Sequence, residues 1–460
     1  MDGETRLGPA RSEIALGAQH MEGQKVPPPQ HGPLAGLDVW NLRDEDGWRL
    51  FEGNLPGARG PRGYRQRGDG PILADGPKAL LGLFELGGQA VAYATRGPSA
   101  FPYHVFTADD DIGTVGMAGL ELAPETSALG GMRERTAPAL VAEALLVWQA
   151  QDNLALPLFC ARTETESAAS LSAFSEGRAL ENLTRAVANW RAAAEDNGLA
   201  AELCAVLIDV ASDDLTSEAR GFETGMRALC TAIQKQALGD ALARPPRLLT
   251  LFDSGAQRPV RPALIEAQWR LCLHPGDQSL TFAAPSYMLE IGPQGWLTDR
   301  GRLHKAEMMA AALTFAPDDR DKGIYEAPSE GWHCPTPLHA EWQGGHVDVT
   351  YRAMAPLVLD DADPFAAGKN YGFTILGADG PCAIESVSVS ESDPRKLELR
   401  PAAKPRGPTH LLYAAGASAS ATRTYPSNAG ALRDDWAMWS TDGTALHRWA
   451  YPCHLPIVGL

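Results

Sequence analysis

Between residues 76 and 320 short apolar runs alternate with longer stretches of helical periodicity. Leu80-Leu-Gly-Leu-Phe-Glu-Leu86 is nearly continuous and stops at Gly87-Gly88, the pattern of a buried strand closed by a turn. Pro138 to Gln151 reads as an Ala/Leu-rich amphipathic helix, and Leu154 to Cys160 as a strand. Ala179 to Asn197 has helical spacing and ends at Gly198, a residue suited to a helix C-terminus. Ala205 to Val210 predicts a strand, Phe222 to Leu242 a helix, Arg247 to Phe252 a strand and Arg302 to Leu313 a helix. Strands and helices alternating at this spacing imply a parallel sheet covered by helices.

The two ends read differently. Residues 1 to 75 are rich in Gly, Pro and Arg, as in Val26-Pro27-Pro28-Pro29 and the segment from Gly57 to Arg67, and predict an extended attachment arm. Trp40, Trp48 and Phe51 are its apolar anchors, and the arginines 59, 62, 65 and 67 read as a solvated loop. After about residue 335 the helical spacing disappears. Val347 to Tyr351, Tyr371 to Ile375, Ile384 to Val389, Lys396 to Arg400 and His410 to Tyr413 alternate as strands between Gly/Pro/Asp turns, which predicts an antiparallel β-domain. The expected divisions are 1–75, 76–330 and 331–460.

Composition narrows the function. The 460 residues are 44% hydrophobic and 21% charged, enough apolar content for a folded core of two or three domains. A formal charge of −17 argues against a nucleic-acid partner. No apolar stretch reaches membrane-spanning length, and the first thirty residues lack a signal-peptide core, so neither membrane insertion nor export by that route is expected. The seven cysteines form no CxxC pair and read as small buried hydrophobes in a reducing compartment. His333, His339 and His346 with Cys334 match no common ligand spacing, so no metal or other cofactor is expected.

Residues 78 to 460 resemble the SGNH/GDSL hydrolases, in the sialate O-acetylesterase-like branch, and most of all its phage and gene-transfer-agent versions. Leu86-Gly-Gly-Gln-Ala-Val91 stands where the family has its Gly-Gln-Ser-Asn nucleophile block. Thr163 to Ala168 and Leu180-Glu-Asn-Leu183 stand for the second block and its helix. Ile208 to Asp214 stands for Gln-Gly-Glu-Ser-Asp, and Pro293 to Gly301 for Asp-x-x-His-Leu-Thr-x-x-Gly. Asn370-Tyr-Gly-Phe373, Ala431-Leu-Arg-Asp434 and Leu446-His-Arg-Trp449 are similar to the β-appendage of particle-borne members. The resemblance implies a three-layer α/β/α (flavodoxin-like) sandwich with a parallel sheet, followed by a C-terminal antiparallel β-domain.

The departures from that pattern carry the functional expectation. Ala90 occupies the nucleophile position, and a methyl group attacks no acyl carbon. Trp296 replaces the general base and Pro293 the residue that orients it. Glu166 falls near the oxyanion-hole glycine, where a carboxylate repels developing negative charge. No Asp-x-x-His or G-x-S-x-G sequence exists elsewhere to compensate. Asp209, Asp213 and Asp214 cluster at a strand end, where paired carboxylates act on glycosides or, more simply, cap a helix. Ser167 and Ser212 have no recognisable base, and His304 reads as a surface or interface histidine. The chain is therefore expected to be a non-catalytic spike or fibre component of a phage-like particle, a pseudo-esterase. It would be assembled in the cytoplasm and then displayed on the particle surface. Its expected partners are particle structural proteins, met through the arm, further copies of itself in a homo-oligomer, and host surface polysaccharide. The sugar would be held by Gln89, Glu166, Asp209, Asp213 and Trp296. The competing readings are an active carbohydrate esterase or glycosidase with an unorthodox site, and a purely architectural subunit.

Overall fold

The computed structural model describes residues 34–58, 60–116, 120–166, 171–210, 218–239, 247–255, 262–274, 280–314, 331–416 and 424–460. The apolar run around Phe84 forms strand Ala79–Gly87, buried along almost its whole length. It lies in the middle of a seven-stranded sheet. Leu158–Thr165 and Ala200–Asp209 pair with it in parallel on either side. Leu248–Phe252 and Leu280–Pro285 extend the sheet in parallel beyond Ala200–Asp209. At the opposite end Val105–Ala108 runs parallel to Leu158–Thr165, and the edge strand Leu129–Gly131 runs antiparallel. Helices Ala137–Gln151 and Asp299–Thr314 share one apolar cluster with this sheet, and Arg178–Asp196 and Ala219–Ala232 share another.

Both termini differ from expectation. Residues 38 to 74 are no extended arm: they form a four-stranded antiparallel sheet, Asp38–Glu45, Trp48–Asn54, Arg62–Gln66 and Leu73–Ala74. A small core of Leu34, Val39, Phe51, Leu55 and Tyr64 holds it. Its first hairpin turns at Asp46-Gly47, both with positive φ (50° and 78°), the backbone of a tight two-residue hairpin that Asp-Gly favours. The Gly/Arg content that suggests a linker here belongs to short edge strands and their turns. Residues 1–33, which complete the expected arm, lie outside the described residues.

At the C-terminal end the strands build more than a small appendage. Eight of them form one sheet, in the order Gly380–Cys382, Phe373–Gly377, His410–Tyr413, Cys453–Val458, Thr336–Gln343, His346–Arg352, Lys396–Pro401, Ile384–Val389. Its two edge strands follow one another in sequence with only Ala383 between them, and the sheet curls into a nearly closed barrel. It is not purely antiparallel, because Cys453–Val458 runs parallel to Thr336–Gln343. Leu357–Leu359, Leu432–Trp439 and Ala445–Trp449 form a further antiparallel sheet.

These findings correct the expected fold class. Strand exceeds helix, 36% against 25%, and the barrel-like sheet has more strands than the central one, so the chain is not a three-layer α/β/α SGNH-like sandwich with an arm and a modest appendage. Nor does the β-region stand apart from the rest. Trp332 Nε1 donates to Ala283 O at 2.8 Å and Tyr287 Oη donates to Ala450 O at 2.7 Å, tying the barrel region to the central sheet through buried bonds.

Candidate functional site

The C-terminal ends of the three central strands are fastened together. Gly88 N donates to Asp209 O (3.1 Å), and Glu166 N donates to Gly87 O (3.0 Å). Gly87 is required here: a Cβ on it would sit 2.7 Å from both Asp209 O and the Val91 side chain. A single 3-10 turn, Gln89–Ala92, follows. Gln89 is exposed, Ala90 half-buried and Val91 buried. The structure thus brings Gln89, Ala90, Glu166 and Asp209 to one edge of the sheet. Ser167, Ser212, Asp213 and Asp214 fall outside the described residues.

The two described carboxylates at this edge are already engaged. Glu166 Oε2 accepts from Ala179 N (3.3 Å), in the first turn of helix Arg178–Asp196, where a helix end favours negative charge. Asp209 Oδ2 accepts from Lys305 Nζ at 2.6 Å. Lys305 also donates to Glu85 Oε1 at 3.1 Å, and Thr163 Oγ1 donates to Glu85 Oε2 at 3.0 Å. Glu85 and Lys305 are both almost wholly buried. Burial opposes the Lys305 charge, but Asp209 and Glu85 outweigh it and raise the ammonium's pKa. Burial raises the Glu85 carboxyl, with Lys305 pulling the other way. The result is a closed ion cluster beneath the turn.

Two more polar clusters sit at the same end of the sheet. Arg162 pairs with Asp110 (3.1 Å) and Glu164 (2.7 Å), all three nearly inaccessible to solvent. The carbonyl of Gly113 completes its contacts. Beyond Leu248–Phe252, Ser286 Oγ donates to Asp253 Oδ1 (3.0 Å) and accepts from Ser254 N (2.9 Å), and Asn428 Nδ2 donates to Ser254 O (2.9 Å). Burial raises the Asp253 carboxyl.

Trp296 reaches the same region from the loop before helix Asp299–Thr314. Its indole stacks on Tyr93 with ring centroids 4.8 Å apart and planes 26° apart. Tyr93 is 41% exposed and follows Gln89 by four residues, so a two-ring aromatic ledge stands beside the Gln89–Ala92 turn. Thr95, Asp299 and Arg302 brace it: Thr95 Oγ1 donates to Asp299 Oδ1 (2.7 Å), and Arg302 Nε donates to Thr95 Oγ1 (3.2 Å). Pro293 is exposed on the same loop. His304 is not a surface residue. It is buried, with Nε2 3.1 Å from Asp442 Oδ2, under the 440–444 turn of the β-region.

Glu85, Lys305 and Tyr93 escaped the sequence reading. A lone carboxylate inside Leu80-Leu-Gly-Leu-Phe-Glu-Leu86, and a lysine close to Ala and Met in the Asp299–Thr314 helix, are the legible signs that each is buried, though nothing local pairs them. Tyr93 carried no comparable sign. Two of the C-terminal signature segments meet directly: Arg448 Nη2 pairs with the buried Asp434 at 2.8 Å, and the Arg448 guanidinium lies 5.4 Å from both the Trp332 and Trp436 rings. Among the described residues no group of three or more His, Cys, Asp or Glu is arranged to hold a metal, and no helix is long and apolar enough to cross a membrane. No protein-family model matches the sequence, and no curated protein matches it.

Proposed function

We propose that this chain recognises host surface polysaccharide without cleaving it, as a component of a phage-like particle. The observation that carries the reading is the Tyr93–Trp296 ledge, a partly exposed aromatic surface at the edge where the strand ends converge. Aromatic faces bind the C–H faces of sugars, and Gln89 beside them offers hydrogen bonds to hydroxyls. The chemistry of the edge supports binding over catalysis. Ala90 has no nucleophilic atom, Asp209 is held by Lys305, and Glu166 serves a helix end. The particle setting and assembly with particle proteins rest on the likeness of the C-terminal segments to particle-borne esterase-like proteins.

Trp296→Ala is expected to weaken binding to host polysaccharide about fivefold to thirtyfold, the loss of roughly 1–2 kcal/mol of aromatic contact, while the melting temperature barely moves. Binding titration and thermal unfolding on the one variant test this. Unchanged binding together with a stability loss of about 3–5 kcal/mol, as for buried Trp→Ala changes, would make Trp296 a cavity filler and overturn the proposal.

The purified protein is further expected to hydrolyse p-nitrophenyl acetate no faster than a boiled control, and to resist a serine-directed fluorophosphonate. The combined variant Ala90→Ser, Pro293→Asp, Trp296→His should gain feeble turnover at most, because Lys305 and Glu166 leave the surrounding charges arranged for packing. Saturable turnover by the unaltered protein would contradict a non-catalytic role.

A further inference from the structure

Trp439 is 74% exposed, the most exposed aromatic side chain among the described residues whose large hydrophobics project into solvent. It stands near the end of strand Leu432–Trp439, opposite Ala445 in strand Ala445–Trp449. Its same-face neighbour two residues back is Ala437, also exposed, and His447, opposite Ala437, stands on the diagonal. The hairpin beneath it is firmly held. Ser440 N donates to Thr444 O (2.8 Å), Thr444 N to Asp442 Oδ1 (2.9 Å), and Thr441 N to Glu307 Oε1 of the Asp299–Thr314 helix (2.8 Å). A single exposed aromatic is ordinary on a protein surface, but on a hairpin held this well the indole has only its two side-chain torsions to lose on binding.

The same hairpin is joined to the first turn of helix Asp299–Thr314, which follows the loop that carries Trp296. Arg300 Nε donates to Asp442 Oδ2 (2.9 Å) and Nη2 to Thr444 Oγ1 (2.6 Å), four residues beyond Trp296 in the chain. Tyr425 lies close enough to Glu290, Arg300 and Asp442 to feel their charges. The arginines of this surface are neutralised: Arg300 by Asp442, and Arg302 by Asp299 at 2.5 Å. With exposed Asp435 alongside and a chain charge of −17, the surface repels an anionic polymer and suits an uncharged one.

Resting on the polysaccharide reading above, we propose that Trp439 is a second sugar-stacking contact, so that the protein grips a run of several neutral sugars rather than one terminal residue. The test uses β-1,4-linked N-acetylglucosamine oligomers of one to six units, titrated calorimetrically against the full chain. Trp439→Ala should weaken the hexamer about fivefold to thirtyfold and leave the dimer within about twofold of wild type. Trp296→Ala should weaken both lengths. Trp439→Phe, which keeps a ring, should retain most hexamer affinity, so the comparison holds even if the alanine variant unfolds. Equal hexamer affinity in wild type and both Trp439 variants overturns the second contact and leaves the ledge intact. Loss confined to the Trp439 variants, with Trp296→Ala unaffected, overturns the ledge instead, and absence of binding by wild type at any length overturns both.

Discussion

Replacing Lys305 with methionine should destabilise the fold by about 3–5 kcal/mol at neutral pH, the usual cost of stripping the partner from a buried charge. The ammonium is nearly inaccessible and bonds two carboxylates, Glu85 at 3.1 Å and Asp209 at 2.6 Å. Without it those two carboxylates share a site with no cation. The pH dependence has a definite sign. Burial already raises the Glu85 carboxyl, and losing Lys305 removes the largest influence holding it down. An acid whose folded pKa lies above its unfolded value binds its proton more tightly when folded, so stability falls as pH rises from the unfolded value toward the folded one. The deficit of Lys305→Met against wild type should therefore be larger at pH 8 than at pH 5. Adding Glu85→Gln should recover part of it. Denaturant unfolding at the two pH values decides the matter: a deficit below about 1 kcal/mol, or one indifferent to pH, would show that the cluster is not a stability element.

Arg162→Leu is expected to be equally damaging, again about 3–5 kcal/mol. Arg162 lies between Asp110 and Glu164, and all three are within 2% of complete burial, so leucine leaves two carboxylates in an apolar setting. Burial is the main influence raising the Glu164 carboxyl, and Arg162 is what counters it. The two clusters also make a joint prediction. Thr163 bonds Glu85, whereas its neighbours Arg162 and Glu164 point to the other face of the same strand, as alternation along a strand requires. Charges on opposite faces with no shared partner should act additively. Lys305→Met with Arg162→Leu should thus lose about 6–10 kcal/mol, comparable to the whole stability of an ordinary domain, and fail to accumulate as folded protein. A double variant no worse than either single one would mean that the clusters act as one unit.

The central strands and helices were legible because their periodicity is strong and their interiors uniformly apolar. Ala79–Gly87, Arg178–Asp196 and Asp299–Thr314 fall within a few residues of where the pattern puts them. The edges were not, for physical reasons. Asp38–Glu45 is exposed on nearly every residue, so no alternation marks it, and only Asp46-Gly47 announces its hairpin. Helix Pro262–Leu273 and strand Leu280–Pro285 drew no expectation from the sequence. At the candidate site, motif order picks out Gln89, Ala90, Glu166, Asp209 and Trp296, whose common place at one end of the sheet only the fold shows. The cation that occupies Asp209 comes from a helix ninety-six residues away in sequence, and a pairing at that range leaves no local trace.

The place of Cys453–Val458 in the barrel-like sheet bears on how the protein is made. That strand separates Gly380–Cys382, Phe373–Gly377 and His410–Tyr413 from Thr336–Gln343, His346–Arg352, Lys396–Pro401 and Ile384–Val389. Its parallel partner leaves the ribosome more than a hundred residues before it does. Until residue 458 has been synthesised, the two groups of strands are unjoined half-sheets, each presenting an open edge to neighbouring nascent chains. Long-range pairings of this kind close slowly and leave such edges exposed meanwhile. Yield during rapid expression should consequently be governed by how long these half-sheets wait, and slower synthesis or added chaperone should help this protein more than any gain in the stability of its finished form.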